Sequence, residues 1–131
     1  MSSHSEPRAV TIATTHVQAW SSHDFGTARA MLAPDVRVTA TTTAPYPPDT
    51  DLTGADSYMD GLVAYAQPIV PGSLRILAST GDDNNALLTL TVTMAGGPFG
   101  AGAAAPCSRL YLIDEDGKIK TEKIVFYVAS E

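Results

Sequence analysis

Residues Ala86–Ala95, ALLTLTVTMA, alternate without a break: Leu88, Leu90, Val92 and Met94 on one side, Thr89, Thr91 and Thr93 on the other. A period of two is the signature of a strand with one face buried and the other left polar. Such a strand cannot be stable alone; it needs neighbours in a sheet and a second layer over its apolar face. The neighbours follow from the same half of the chain. Ser73–Ala78 reads as a strand, Gly81–Asn85 as a turn, and Gly96–Gly102 (GGPFGAG) as a loop into a strand at Ala103–Ile113. Asp114–Gly117 is a tight turn, and Lys118–Val128 is the last strand.

The covering layer must come from the first half. Ala9, Ala13, His16, Val17 and Trp20 share one face at helical spacing, and Ser21-Ser22 ends that helix. Asp24 is placed to cap a second, short helix whose buried face is Phe25, Ala28, Met31 and Leu32. Pro34 disfavours helix at Ala33, and Asp35–Ala40 alternates as a strand. Thr41–Asp51, with three prolines, is a surface loop in which Tyr46 can act as a lid residue or rest on the prolines beside it. Leu52-Thr53-Gly54 leads into a third helix, Ala55 to about Gln67, with Thr53 or Asp56 to cap it. Its apolar stripe is Ala55, Tyr58, Met59, Leu62, Val63 and Ala66, and Pro68 and Pro71-Gly72 close it. Helices followed by an antiparallel meander make an α+β domain over residues 8–131, preceded by a tail at 1–7.

Composition excludes several functions. A net charge of −6 opposes nucleic-acid binding, and the basic run Lys118, Lys120, Lys123 is interleaved with Glu115, Asp116 and Glu122, so it reads as a solvated strand end. Cys107 is the only cysteine, which removes intramolecular disulfides and cysteine-based zinc sites and leaves a packed thiol. No His spacing supports a metal, so neither metal nor cofactor is expected. No apolar run is long enough for a membrane span, and MSSHSEP lacks the apolar core of a signal peptide, so a cytoplasmic location is the default. The Gly-rich loop runs from strand to strand without G-x-G-x-x-G or G-K-[ST] context, so it is not a phosphate loop. Phe99 at its tip suits a pocket mouth or a subunit contact.

The order of these pieces resembles the nuclear transport factor 2-like superfamily, which includes SnoaL-like (polyketide-cyclase-like) proteins and ketosteroid isomerases. The resemblance rests on Trp20 near the end of helix one, the polar turn ending in Asp24, and Ala33-Pro34-Asp35-Val36. The Gly54 helix start and the Asp116-Gly117-Lys118-Ile119 hairpin complete it. It implies three N-terminal helices packed on a strongly curved antiparallel sheet, a cone holding an apolar pocket between helices one and three and the sheet. It also implies a two-fold homodimer through the outer sheet face.

Site residues carry over unevenly. The isomerases' oxyanion-donating tyrosine matches His16, which can still donate and titrate, while a hydrogen-bonded core histidine is the structural alternative. Their general-base aspartate matches Ala40, which has no proton chemistry, and their second donor falls at Ser108 or Arg109. The acidic residue that often ends the last strand of polyketide-cyclase-like proteins matches Tyr127. Arg109 could supply the Arg of the Asp–Arg–Asp set of limonene epoxide hydrolases, but no carboxylate is expected on the neighbouring strand interiors. Alternation leaves two parities open: Arg109 and Tyr111 inward, or Ser108, Leu110 and Leu112 inward.

The expected function is binding, and conversion where a reactive group exists, of a small hydrophobic molecule of polyketide, terpenoid or steroid type. His16 is the candidate catalytic group, and Trp20, Tyr46, Tyr58, Leu62, Met94, Phe99, Arg109, Tyr111 and Tyr127 are the candidate ligand contacts. The rivals are a non-catalytic dimerisation or ligand-sensing module, and a subunit that assists a partner enzyme.

Overall fold

A computed structural model of the 131-residue chain describes residues 6–42, 50–96, 102, 104 and 106–126. Helix α1 (Arg8–Ser21) buries Ala9, Ala13, His16, Val17 and Trp20, the face that the spacing predicts. His23 then takes a left-handed conformation (φ 67°) and places Nε2 3.0 Å from the Ala66 carbonyl oxygen, tying the turn to the far end of the third helix. Asp24 caps α2 (Phe25–Ala30) by accepting from the Thr27 amide at 3.3 Å. The helix stops before the sequence suggests, because Leu32 already pairs with Ile119 as the first residue of β1 (Leu32–Thr42).

The proline loop is shorter than expected. Its end forms β2 (Thr50–Thr53), paired antiparallel to β1 from Arg37↔Thr53 to Ala40↔Thr50. Tyr46 lies outside the described residues. Helix α3 (Ala55–Ala66) has Gly54 at its N-cap and no side-chain cap, so neither Thr53 nor Asp56 fills that role. Gly54 holds φ 98°, a conformation that side chains resist, and from it donates its amide to the Val36 carbonyl at 2.7 Å. That hydrogen bond docks the start of α3 onto β1.

Strands β3 (Arg75–Gly81), β4 (Asn85–Thr91), β5 (Cys107–Ile113) and β6 (Ile119–Phe126) complete a six-stranded sheet in the order β2-β1-β6-β5-β4-β3. The β5–β6 hairpin turns at Gly117 (φ 79°), where the Asp114 carboxylate accepts from the amides of Asp116 and Lys118, each at 2.9 Å. Two features correct the sequence-based picture. The sheet is mixed, since β1 runs parallel to β6, and among the described residues β2 and β3 are its open edges, so it does not close on itself. Two strands also come before the third helix, not one: β1 stands where the alternation of Asp35–Ala40 predicts it, and β2 adds a strand inside the expected proline loop. The parallel pairing arises because α2 and the bond from the Ile119 amide to the Met31 carbonyl (2.9 Å) start β1 and β6 at the same end of the sheet.

Helix α1 packs over β3, β4 and β5, and α3 over β1 and β2, with α2 touching both helices. The inner face carries Leu88 and Leu90 of β4, continued by Val92 and Met94, all buried as their alternation predicts. Cys107 is a packed, free thiol. Among the described residues no helix is long and apolar enough to cross a membrane.

Candidate functional site

The described residues line a pocket of about 160 Å³ between α3 and the β2-β1-β6-β5 half of the sheet. Val38, Ala40, Leu52, Leu62, Ile124 and Phe126 make its walls apolar. Tyr58, Tyr65, Arg109 and Glu122 supply its polar groups. No lining residue comes from α1, which covers the other half of the sheet, so the expected wall of helix one is absent here among the described residues.

Alternation decides the parity of β5. Cys107, Arg109, Tyr111 and Ile113 face inward, and Ser108, Leu110 and Leu112 lie on the outer face. Arg109 Nη1 donates to Glu122 Oε2 at 2.6 Å, with the two side chains 1% and 0% exposed. Glu122 thus puts a carboxylate on the interior of the neighbouring strand, against the expectation of none. Its surroundings of Lys120 and Lys123 suggest solvent, but it pairs across from Tyr111 and projects from the same face as Ile124. Between Ile119 and Glu122 the register slips, because Ile113 pairs with Ile119 while Leu112 pairs with Thr121. Counting alternation forward from Ile119 therefore sends Glu122 outward, whereas counting back from Ile124 sends it in.

Glu122 also accepts a hydrogen bond from the Tyr58 hydroxyl through Oε1. Burial pushes the Glu122 carboxyl up, but Arg109, His16 and Tyr58 outweigh it and hold the group below the ordinary carboxylate range. Burial and the adjacent Glu122 charge raise the Tyr58 phenol well above its usual value, so it stays a donor. Burial works against the Arg109 charge, yet Cys107, Glu122 and the tyrosines carry the guanidinium above its ordinary value. Trp20 stacks on this group, its ring centre 4.5 Å from Arg109 Cζ, with the rings of Tyr65 and Phe126 at 5.4 and 5.9 Å. Arg109 Nε points at Cys107 Sγ, 3.4 Å away.

The candidate contacts thus divide. Tyr58, Leu62 and Arg109 line the pocket. Trp20, Met94 and Tyr111 are buried without lining it. Tyr46, Phe99 and Tyr127 lie outside the described residues. His16 is fully buried one ring back from the pocket, 6.0 Å from the Tyr58 ring and 6.2 Å from the Tyr111 ring, centre to centre. Among the described residues neither ring nitrogen makes a well-formed hydrogen bond, although the Ala28 backbone lies close enough to raise its pKa slightly, and burial lowers the pKa to about 4. It is neutral at pH 7, because burial outweighs the pull of the nearby Glu122 carboxylate. Ala40, at the isomerase base position, does line the pocket. Among the described residues no group of three His, Cys, Asp or Glu could hold a metal ion.

A family model described as a SnoaL-like domain matches residues 13–122. No curated protein matches the chain. Similar solved structures include a Kribbella flavida protein at 23% identity, with 91% of this chain and 86% of that one covered and a TM-score of 0.75. A candidate SnoaL-like polyketide cyclase of Shewanella putrefaciens matches at 15% identity, covering 92% and 80%, with a TM-score of 0.74. A candidate ketosteroid isomerase of Kribbella flavida matches at 17% identity, covering 95% and 81%, with a TM-score of 0.68. At these identities the likeness is one of fold.

Proposed function

Because the chain belongs to the SnoaL-like domain family, within the nuclear transport factor 2-like superfamily, we propose that it binds a small hydrophobic molecule of polyketide, terpenoid or steroid type in the pocket under α3. The observation that carries this reading is a buried ion pair lining an otherwise apolar cavity. Replacing such a pair by apolar side chains is often neutral or stabilising, so stability alone gives little reason to keep it. A ligand with a polar group gives a reason, because the pair supplies fixed donors and acceptors in a water-poor site. Native mass spectrometry of the purified protein tests the reading. A co-purified or added apolar compound should be retained by the parent and lost in Leu62→Trp, which fills the pocket.

Binding is favoured over turnover by two features. Ala40 brings no proton chemistry to the wall. Glu122 is ionised and held by Arg109 and Tyr58, which makes it a weak base. The second reading is a non-catalytic homodimeric accessory module of the same fold, in which the cavity serves no ligand.

We also propose that the protein is a homodimer joined through the outer sheet face. Leu87 and Leu110 are cross-strand partners there, Leu112 and Val125 continue the patch, and Leu87 is 41% exposed. The two-fold arrangement would set this self-complementary strip against its own copy.

A further inference from the structure

Two properties of the pocket restrict its ligand further, on the premise that it binds one: its size and the charge balance of its polar end. An engineered apolar cavity of about 150 Å³ takes up benzene. The pocket here is about 160 Å³. A four-ring skeleton is larger than this space, which the described residues leave open on one side, whereas one six-membered ring with a small substituent fills it.

The polar end carries a full positive and a full negative charge that already neutralise each other, Arg109 against Glu122. A ligand carboxylate drawn to Arg109 would bring a second negative charge beside Glu122 in a site shielded from water, where like charges repel strongly. An ammonium would meet Arg109 in the same way. A neutral group avoids both. The ionised Glu122 can only accept: Tyr58 and Arg109 donate to it and the Tyr111 hydroxyl lies beside it, and the roughly four lone-pair sites of a carboxylate leave capacity for one more donor. The Arg109 guanidinium can only donate. Between them, a group that donates and accepts at once is the complement, and a hydroxyl is the smallest such group. Tyr65 adds to this end of the pocket: it lines the cavity, and its buried hydroxyl, beside the Arg109 guanidinium, makes no well-formed hydrogen bond among the described residues. A ligand hydroxyl would give that group a better-aligned partner.

We propose that the pocket takes a neutral, single-ring molecule bearing a hydroxyl, either a phenol or a cyclic alcohol, with the ring against Val38, Leu52, Leu62 and Ile124 and the hydroxyl at Glu122 and Tyr65. This narrows the proposed function and rests on it. A carbonyl compound of the same size would use Arg109 alone and bind more weakly. A hydrocarbon would leave every polar group as it is.

Calorimetry and saturation-transfer NMR on the full chain test the proposal with four probes: 4-methylphenol, toluene, 4-methylbenzoate and progesterone. 4-Methylphenol should bind about tenfold more tightly than toluene, the effect of a hydrogen bond to a charged group. 4-Methylbenzoate and progesterone should not compete with it. Leu52→Trp, on edge strand β2, should abolish 4-methylphenol binding while the circular dichroism spectrum stays native. Tyr65→Phe, which keeps the ring, should reduce the preference over toluene. If 4-methylbenzoate binds more tightly than the phenol, or toluene binds equally well, the neutral hydroxyl is wrong. If progesterone binds and Leu52→Trp blocks it, the size limit is wrong while the pocket reading survives. If no probe binds, or Leu52→Trp leaves binding unchanged, both the proposal and the pocket reading fall.

Discussion

Arg109 Nη1 and Glu122 Oε2 stand 2.6 Å apart on adjacent strands, in a place where neither side chain reaches bulk water. The pairing follows from the β5–β6 register, which sets Arg109 opposite Ile124 and Tyr111 opposite Glu122, so that the two charges are diagonal neighbours on the inner face. Three further contacts fix the geometry: Tyr58 on Glu122, Trp20 stacked on the guanidinium, and Cys107 Sγ at its Nε. Any change to one charge leaves the other buried and unpaired.

Removing one partner should therefore be far more damaging than removing both. Glu122→Gln and Arg109→Met should each lower unfolding free energy by about 3–5 kcal/mol, whereas Arg109→Met with Glu122→Leu should recover most of that loss. Urea denaturation of the four proteins decides the matter. A double variant as unstable as the sum of the singles would show that packing, not charge pairing, dominates at this site.

Much of this architecture is legible in the residues. The α1 face, the Asp24 cap, the alternation of Leu88 to Met94 and the Gly117 turn are local signals, each set by spacing or by a backbone conformation, and the structure reproduces them. The site was less legible because it depends on pairing across strands. Arg109 and Glu122 meet only through a register that includes a slip near Lys120, and a single irregular residue reverses the side on which every later residue points. Lysines on either side of Glu122 masked it further, since they project from the opposite face. The parallel β1–β6 pairing has the same character: no local pattern states which strands become neighbours. His16 was readable as buried and neutral, but not as set back from the pocket, because that depends on where α3 lies over the sheet.

The outer face should mediate self-association. Light scattering at micromolar concentration should give twice the 13.7 kDa chain mass, and Leu110→Glu, which places a charge in the middle of the strip, should return the monomer. A parent protein running at the mass of one chain would remove the dimer.

The pocket should not isomerise a β,γ-unsaturated ketosteroid. Moving a proton between two carbons needs a base at the wall, and that wall offers Ala40, while Glu122 is held ionised by two hydrogen bonds. Conjugated-enone absorbance should stay at the background rate with the parent protein. A rise that disappears in Glu122→Gln or His16→Phe would establish a base where the geometry shows none.

His16 should make the fold acid-sensitive at a higher pH than the carboxylates do. Its pKa falls from 6.5 to about 4, mainly through burial, with Arg109 lowering it further and Glu122 opposing. In the unfolded chain the ring takes a proton as pH drops through about 6.5, whereas the folded protein refuses it until about 4. Protons thus favour the unfolded state across this window: the contribution is complete above pH 6.5 and is lost as pH falls toward 4. At about 1.4 kcal/mol per pH unit the loss amounts to about 3 kcal/mol. The depressed carboxylates, Glu122 among them, act below the ordinary carboxylate range and so add their loss at the acid end. His16→Phe keeps a ring between Tyr58 and Tyr111 and removes two buried nitrogens that make no well-formed hydrogen bond among the described residues. At pH 7 it should be at least as stable as the parent, because an unpaired buried polar group destabilises. Between pH 6.5 and 4.5 its urea midpoint should change much less than that of the parent. Equal slopes in the two proteins would mean that His16 does not carry the acid sensitivity.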